Sequence, residues 1–514
     1  MTRRAGAVVA ALLAAGCAVG PDYRRPEAPV PAAFKEQALP ESPAAAPDRW
    51  KPAEPKDDAA RGKWWEVFGD PALNALEEQV SVSNQSIAQA EARFRGARAA
   101  VRGARADFYP TVTTSPSATR SQGPAGRTAA ALATNPVLTP PVTVYQLPVD
   151  LSYELDVFGR IRRNVESNVA FAQASAADLE IVRLTMHAEL AIDYFLLRGA
   201  DAQIQLLDST AGGYQKALQL TVNRHDQGVV SGVDVAQAET QLYTTRVLAI
   251  DLRLTRAQLE HAIAILAGKP PGDFDIPPAA AQYSPPSIPV GLPSELLERR
   301  PEIAAAERRV ASANAQIGVA TAAFFPRLLL AATGGYESTR LSDWFSLPAR
   351  FWSIGPSLLA TLFDGGRRRS VREQAVAAHE AAVAAYRFSV LTAMQEVEDN
   401  VAASRILAEE AVLQTDAVNS AERALALAQN RYQGGITTYL EVVTAQNAAL
   451  ANERLAVDVL TRRMTASVNL VKALGGGWSA ADLPYGGASS DASSPGGRSP
   501  APSSAPGAPA ARRD

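Results

Sequence analysis

From Asn84 to Asp107 the chain is rich in Ala, Arg and Glu and free of proline, and Pro110 follows. The pattern predicts a helix that stops before the proline, since the residue preceding a proline is pushed out of the α region. The period then changes. Tyr145, Leu147, Val149, Leu151 and Tyr153 alternate with Gln146, Pro148, Asp150 and Ser152, which is the period of two expected of a strand with one apolar and one polar face. Farther on, Leu328, Leu330, Ala332 and Tyr336 form a second stripe, and Trp352, Ile354 and Leu358 a third. A weaker partner strand is expected near Thr111–Arg120, a Thr/Ser-rich stretch. Pro116, Pro148 and Pro356 weaken these strands, because each removes a ladder donor. Each hairpin ends in a glycine-basic corner, Phe158-Gly159-Arg160-Ile161-Arg162 and Phe363-Asp364-Gly365-Gly366-Arg367. Helix resumes after it. From Arg160 to Asp226 only Gly199, Gly212 and Gly213 interrupt, and an unbroken helix of that length would run to about 100 Å. A compact domain has no use for such a rod; a protein crossing a periplasm has.

The pattern occurs twice. Ile87-Ala88 and Ala90-Glu91 recur as Ile303-Ala304 and Ala306-Glu307, and Ala106-Asp107-Phe108-Tyr109-Pro110 as Ala322-Ala323-Phe324-Phe325-Pro326, both at an offset of 216. Asn223-Arg224 recurs as Asn430-Arg431, Gly228 as Gly435 and Gly268 as Gly475, at an offset of 207. The first unit therefore carries nine extra residues (216 minus 207) between Pro110 and Asn223. The polar, Pro-rich stretch Gln122–Pro141 is their expected home, as a surface loop absorbs length at little cost. Each unit reads helix, strand, strand, long helix, helix: a mainly α, internally duplicated fold.

Composition narrows the function classes. In 514 residues, 50 Lys+Arg face 53 Asp+Glu, a net charge of −3, which argues against a nucleic-acid partner. A single cysteine excludes a disulfide framework or a cysteine metal cluster. His187, His225, His261 and His379 are too far apart in sequence for a helical metal site. There is no Gly-x-Ser-x-Gly elbow and no phosphate-cradling loop, and Gly475-Gly476-Gly477 reads as a helix stop. No catalytic residues, metal or cofactor are expected, and no enzyme activity. Past the N-terminus no apolar run is long enough for a transmembrane helix. At the N-terminus, Arg3 and Arg4 precede the apolar Ala5–Ala15, a signal-peptide pattern. It ends Ala14-Ala15-Gly16-Cys17, which resembles the lipobox of bacterial lipoproteins, with Ala14 where that pattern usually has Leu. The resemblance implies cleavage before Cys17 and a diacylglycerol and an N-acyl chain on it. At about 0.8 kcal/mol per buried CH₂, several chains anchor stably where one is marginal. Ala18 rather than Asp after the cysteine implies delivery to the outer membrane.

Gly16-Cys17-Ala18-Val19-Gly20-Pro21-Asp22-Tyr23, then Trp64-Trp65, Phe68, Asp70-Pro71 and Leu73, resemble the NodT-type lipoprotein branch of the TolC family, over roughly residues 14 to 478. The paired Asn-Arg-x-x-x-Gly and Ala-x-Phe-x-Pro elements are similar to that family too. The resemblance implies a homotrimeric exit duct: four strands per protomer in a shared twelve-stranded β-barrel, continued by a trimeric α-helical periplasmic barrel. Physics points the same way, because four strands cannot close and an open edge is not tolerated in lipid. The divisions expected are a signal peptide at 1–16 and a lipidated linker at 17–62. The first repeat follows at 63–270, with barrel strands at about 111–155, then a Pro-rich linker at 271–292. The second repeat is at 293–478, with strands at about 327–362, and a Ser/Gly/Pro/Ala tail at 479–514 closes the chain.

Two tight turns join the long helices. Gly228, Val229 and Ser231 lie in the first, Gly435, Ile436 and Thr438 in the second. The glycines give backbone freedom for the reversal, and Ser231 and Thr438 can cap the returning helices. The resemblance makes these turns the periplasmic tip and the docking site of a periplasmic adaptor, which links the duct to a proton-driven inner-membrane pump. Asp234 and Glu441 follow the turns at matching positions, and rings of such acids in a narrow pore attract cations. An acid in a helix's first turn is also favoured by the dipole, whatever its role. In the family a tyrosine of the second unit bonds an acid of the first, and Tyr432 and Asp234 match that pair. The family arginine beside the second turn is replaced by Thr437, and a second acidic position by Thr444, which implies a weakened ionic latch. Arg160, Arg162, Arg367, Arg368 and Arg369 gather where barrel meets helices; they read as a solvated collar, with lipid phosphates or the tunnel as the other roles. The function implied is passive export of small molecules, such as drugs or toxic compounds, across the outer membrane. The alternatives are a duct for type I protein secretion and a non-transporting periplasmic spacer lipoprotein; a spacer has no use for strand hairpins with aromatic positions.

Overall fold

The structure, a computed structural model, describes residues 18–31, 33–36, 63–122, 141–279, 283–288 and 299–477. Cys17, residues 123–140 of the Gln122–Pro141 stretch expected to hold the nine extra residues, and the tail from 479 lie outside them.

A 3-10 turn (Trp64–Phe68) leads into α1 (Pro71–Ser83) and α2 (Gln85–Ala106). Asp70 caps α1, accepting from the amides of Ala72 (2.8 Å) and Leu73 (3.2 Å), with Pro71 at the first helical position. Asn84 caps α2, its side chain accepting from the amides of Ser86 (2.9 Å) and Ile87 (3.1 Å), and the helix stops at Ala106, before Pro110. The strands are β1 (Thr111–Thr114), β2 (Ser117–Ser121) and β3 (Val142–Leu155), then helices α3 (Arg160–Asp226) and α4 (Gly232–Leu266). The second unit supplies α5 (Pro301–Ala322), β4 (Arg327–Ser338), β5 (Arg350–Leu359), α6 (Arg367–Gln433) and α7 (Tyr439–Ala473). Helices α3 and α6 each have 67 residues and α4 and α7 each have 35. The long helix expected from Arg160 to Asp226 is continuous through Gly199, Gly212 and Gly213.

One antiparallel sheet runs β1/β2–β3–β4–β5. β1 and β2 share a single register against β3 (Thr114↔Val149, Ser117↔Gln146). They are one strand broken at Ser115-Pro116, where the proline has no amide to give. Directly opposed residues share a face, so Leu147, Tyr336 and then Leu151, Ala332 and Ile354 line up, as do Leu328 and Leu358. The separate apolar stripes of the sequence thus merge into one face. The other face carries Gln146, Asp150, Ser152, Thr333 and Ser353.

The shorter helices stack end to end beside the long ones. The amide of Asn84 donates to the Leu266 carbonyl (2.8 Å) where α4 ends against the start of α2. There Gly268, at φ +72°, lies so close that a Cβ would run into the Ser83 carbonyl oxygen; at the matching seam Gly475, at φ +90°, lies likewise against the Arg299 carbonyl. Gly268→Ala and Gly475→Ala should each cost about 1–3 kcal/mol in left-handed strain alone, more with the clash. Gly435→Ala, at φ +71° with open space around it, should cost only the strain. Thermal melting of the purified channel compares the three; equal shifts would show that the seams are not tight.

The linkers are not free spacers. Residues 18–31 and 33–36 are extended, without helix or strand, but docked. Val19 N–H donates to the Phe158 carbonyl (3.2 Å), Asp22 pairs with Arg163 (2.9 Å), Tyr23 bonds Glu307, and Phe34 is buried among Ile303, Val310 and Tyr386. The backbone amides of Lys35 and Glu36 end the run on Glu398 (2.7 and 2.9 Å). The apolar Val19, Tyr23 and Phe34 among the prolines are the reason. In the second linker Ile276 is buried, and the Pro277 carbonyl accepts from Arg198 (2.8 Å). That arginine belongs to a buried network: Asp201 receives Arg198 (3.1 Å) and Arg256 (2.7 Å).

Candidate functional site

Both turns are built alike. Where α3 ends, Gly228 N–H donates to the His225 carbonyl and Val229 N–H to that of Arg224, both at 2.8 Å. Where α6 ends, Gly435 donates to Tyr432 (3.0 Å) and Ile436 to Arg431 (2.9 Å). These are paired Schellman closures, and they need the positive φ of Gly228 (+74°) and Gly435 (+71°). Val229 and Ile436 project at 59% and 72% exposure, an apolar pair at the point farthest from the sheet.

The acids diverge. Asp234 accepts from the Ser231 amide (3.1 Å) and hydroxyl (3.3 Å) and so locks the start of α4. Thr438 makes no such cap. Its neighbour Thr437 donates to Glu441 instead, and Arg431 pairs with Glu441 at 2.9 Å. The tyrosine–acid bond expected between Tyr432 and Asp234 is not made within the subunit: the Tyr432 hydroxyl is buried with no hydrogen-bond partner. Its ring stands 5.3 Å from that of Tyr439 and takes the Arg224 guanidinium on its face at 4.7 Å. The repeated Asn-Arg pairs thus do different work. Arg224 crosses to the second unit, while Arg431 stays on its own turn and supplies the cation that Thr437 does not. Sequence showed the arginine but not which acid it would reach.

At the other end, Glu154 receives both Arg160 (2.8 Å) and Arg327 (3.1 Å). Asp156 holds Arg162 (3.3 Å) and caps α3 through the amides of Ile161 and Arg162 (2.9 and 2.8 Å). Asp364 does the same for α6, accepting from the Arg368 amide (3.2 Å) and pairing with its guanidinium (2.6 Å), and Arg369 pairs with Glu373 (3.0 Å). The basic collar is therefore largely ion-paired, and its capping acids were missed in sequence, although an aspartate just before each Gly-basic corner is an N-cap signal. Midway, the Trp64-Trp65 motif proves structural. Trp65 stacks on His187 (4.6 Å), whose Nδ1 lies 2.6 Å from Glu77. Burial pushes Glu77 well above the usual carboxylate range and His187 down to about 4, so it disfavours the charged form of each.

Among the described residues no group of side chains is arranged to hold a metal, and no helix is long and apolar enough to cross a membrane. The sheet is different. Its apolar face leaves Trp352, Ile354 and Leu358 at 79%, 65% and 68% exposure, and aromatic clusters mark both ends, Tyr145 with Trp344 (5.8 Å) and Phe158 with Phe325 (4.8 Å). A bare apolar band between aromatic girdles is the surface of a membrane strand. The chain matches the family model described as outer membrane efflux protein over residues 76–269 and 292–476. It belongs to that family.

The antibiotic efflux pump outer membrane protein ArpC of Pseudomonas putida is 32% identical over 473 residues, 91% of this chain and 94% of the relative. The outer membrane protein OprJ of Pseudomonas aeruginosa is 32% identical over 475 residues, 92% and 95% of the two chains. Among solved structures, the outer-membrane channel OprN superposes with a TM-score of 0.79 at 33% identity, over 90% of this chain and 100% of that one. VceC of Vibrio cholerae gives 0.74 at 28%, over 80% and 98%. The channel is thus an efflux protein of the bacterial outer membrane, with the family's fold of membrane strands continued by long periplasmic helices. The family is one of channels rather than enzymes.

Proposed function

We propose that three copies of the chain form the passive exit duct of a tripartite efflux system that discharges small toxic molecules. The observation that carries this is the sheet. Its two faces are sorted for lipid and water, yet both outer strands, β1/β2 and β5, keep one edge unpaired among the described residues. In lipid those edges must pair with other copies. Four strands per copy make twelve in a trimer. Exposed apolar residues on α4 and α6, such as Val247, Ile250, Phe388 and Leu391, are suited to contacts between copies. Cys17 carries the lipid anchor in this reading. Ala18 lies against Gly159 at the foot of the sheet, which suits an anchor at that end. The tip, with Val229 and Ile436 exposed, docks a periplasmic adaptor, through which a proton-driven inner-membrane pump supplies the energy. ArpC, named for antibiotic efflux, supports small molecules over a secreted protein as cargo.

The gate lies at the tip. Each acid there is tied within its own subunit, so opening need not break a long ionic latch between subunits. In planar bilayers the purified protein should form trimeric pores. Asp234→Ala with Glu441→Ala should raise basal conductance several-fold and reduce cation preference. Unchanged conductance and unchanged preference would remove the gate from these residues, and a stable lone subunit without pore activity would end the reading altogether.

A further inference from the structure

The outer end of the sheet carries cations on the side where apolar residues belong. Arg120 is directly opposite Thr143, which continues the odd-numbered series of β3 that bears Tyr145, Leu147, Val149 and Leu151. Arg350 is directly opposite Tyr336, itself opposite Leu147. Both arginines are exposed, and both belong to the lipid-sorted face. Arg340, just beyond β4, is exposed at the same rim. None of the three has an ion-pair partner among the described residues, in contrast to the paired collar at the other end. Nor is an acid at hand in the sequence: from Thr111 to Tyr145 there is no Asp or Glu, and between Ser338 and Arg350 the one acid is Asp343, engaged by the Ser342 hydroxyl at 3.0 Å. The aromatic girdle stands at this level, Tyr145 against Trp344 and Tyr336 against Phe345 (5.6 Å). Below it, Leu147 to Leu155 on β3 spans about 27 Å at 3.4 Å per residue, which matches an apolar band of about 25 Å.

Arginines on the lipid side of a strand, unpaired and set at the headgroup level, call for anions supplied by the membrane. We propose that Arg120, Arg340 and Arg350 form a binding surface for the phosphate groups of the outer-leaflet glycolipid, which ties the rim of the channel to its lipid annulus. A guanidinium matches a phosphate with two parallel donors, and the stem packs along the neighbouring apolar residues while the head reaches the interface. The inference rests on the sheet facing lipid, as the proposed duct requires.

The test is native mass spectrometry of the whole channel, extracted in detergent and offered diphosphoryl lipid A, its dephosphorylated form or phosphatidylethanolamine, with and without millimolar inorganic phosphate. Diphosphoryl lipid A should be retained best. Each arginine replaced in R120Q, R340Q and R350Q should weaken retention roughly fivefold, and R120K with R350K should keep only part of it, the charge without the paired donors. Should the triple variant fail to assemble, the single variants carry the comparison. Equal retention of the dephosphorylated lipid, or no loss in the variants, would overturn the proposal. So would displacement by inorganic phosphate, which would make the surface a site for the free ion. Bilayer conductance of the same preparation separates the two failures: normal pores with phosphate-blind lipid binding sink this inference alone, whereas absent pores sink the duct.

Discussion

Asp201→Ala should be among the most damaging single changes in the periplasmic body, at about 3–5 kcal/mol per subunit. The carboxylate is buried, its side chain 3% exposed, and it is shared by Arg198 (3.1 Å) and Arg256 (2.7 Å); Arg198 is itself only 4% exposed. Removing the acid strands a guanidinium in the core, with the Pro277 carbonyl and the face of the Tyr194 ring (4.9 Å) left to it but no anion. The clamp on the second linker loosens as well, since Asp201 also accepts from the Ala279 amide (3.3 Å). Asp208→Ala is the control. Two turns along the same helix, it faces Arg253 at 3.1 Å, but both side chains are half in solvent, and such a pair contributes less than about 1 kcal/mol. Melting of the purified channel, read by helical circular dichroism, should fall sharply for the first variant and barely for the second. Matching shifts would mean that the buried acid is not structural.

Ile354→Lys should abolish insertion, while Ser353→Lys, one residue away, should be tolerated. The isoleucine opposes Ala332 on the apolar face, and the serine opposes Thr333 on the polar one. A lysine facing the hydrocarbon near its middle costs about 2–4 kcal/mol, and in a trimer that cost recurs in each copy; on the wet side it costs little. Folding into lipid vesicles, followed by heat-modifiable mobility on gels, distinguishes the two. Equal insertion would show that the faces have been assigned the wrong way round.

The same contrast explains what could be read from the chain before its structure. Period-two alternation through Tyr145–Tyr153 was enough to find the strands and to separate their faces, because each side chain's solvent is decided locally. The three strand prolines were equally visible, but which of them would interrupt its strand was not: the chain breaks at Pro116, whereas β3 and β5 run on through Pro148 and Pro356. The long helices followed from runs without proline. The pairings at the tip did not. Whether Tyr432 reaches Asp234 depends on the crossing of helices that are far apart in sequence, and whether Arg431 reaches Glu441 depends on how the turn between their helices closes; no local period records either. The seam glycines show an intermediate case: Gly268 and Gly475 stood out as a repeat, but the carbonyls of Ser83 and Arg299 that explain them belong to other segments.

The two great helices agree to the residue, 67 against 67, although the units that contain them differ in length elsewhere. Each is a yardstick for the other. Seven residues added to one arm alone would leave its elbow hanging about 10 Å past its mate, and the common end on which both elbows meet would be lost. A longer conduit for a deeper cell envelope can therefore arise only through simultaneous, equal insertion in both halves of the duplication.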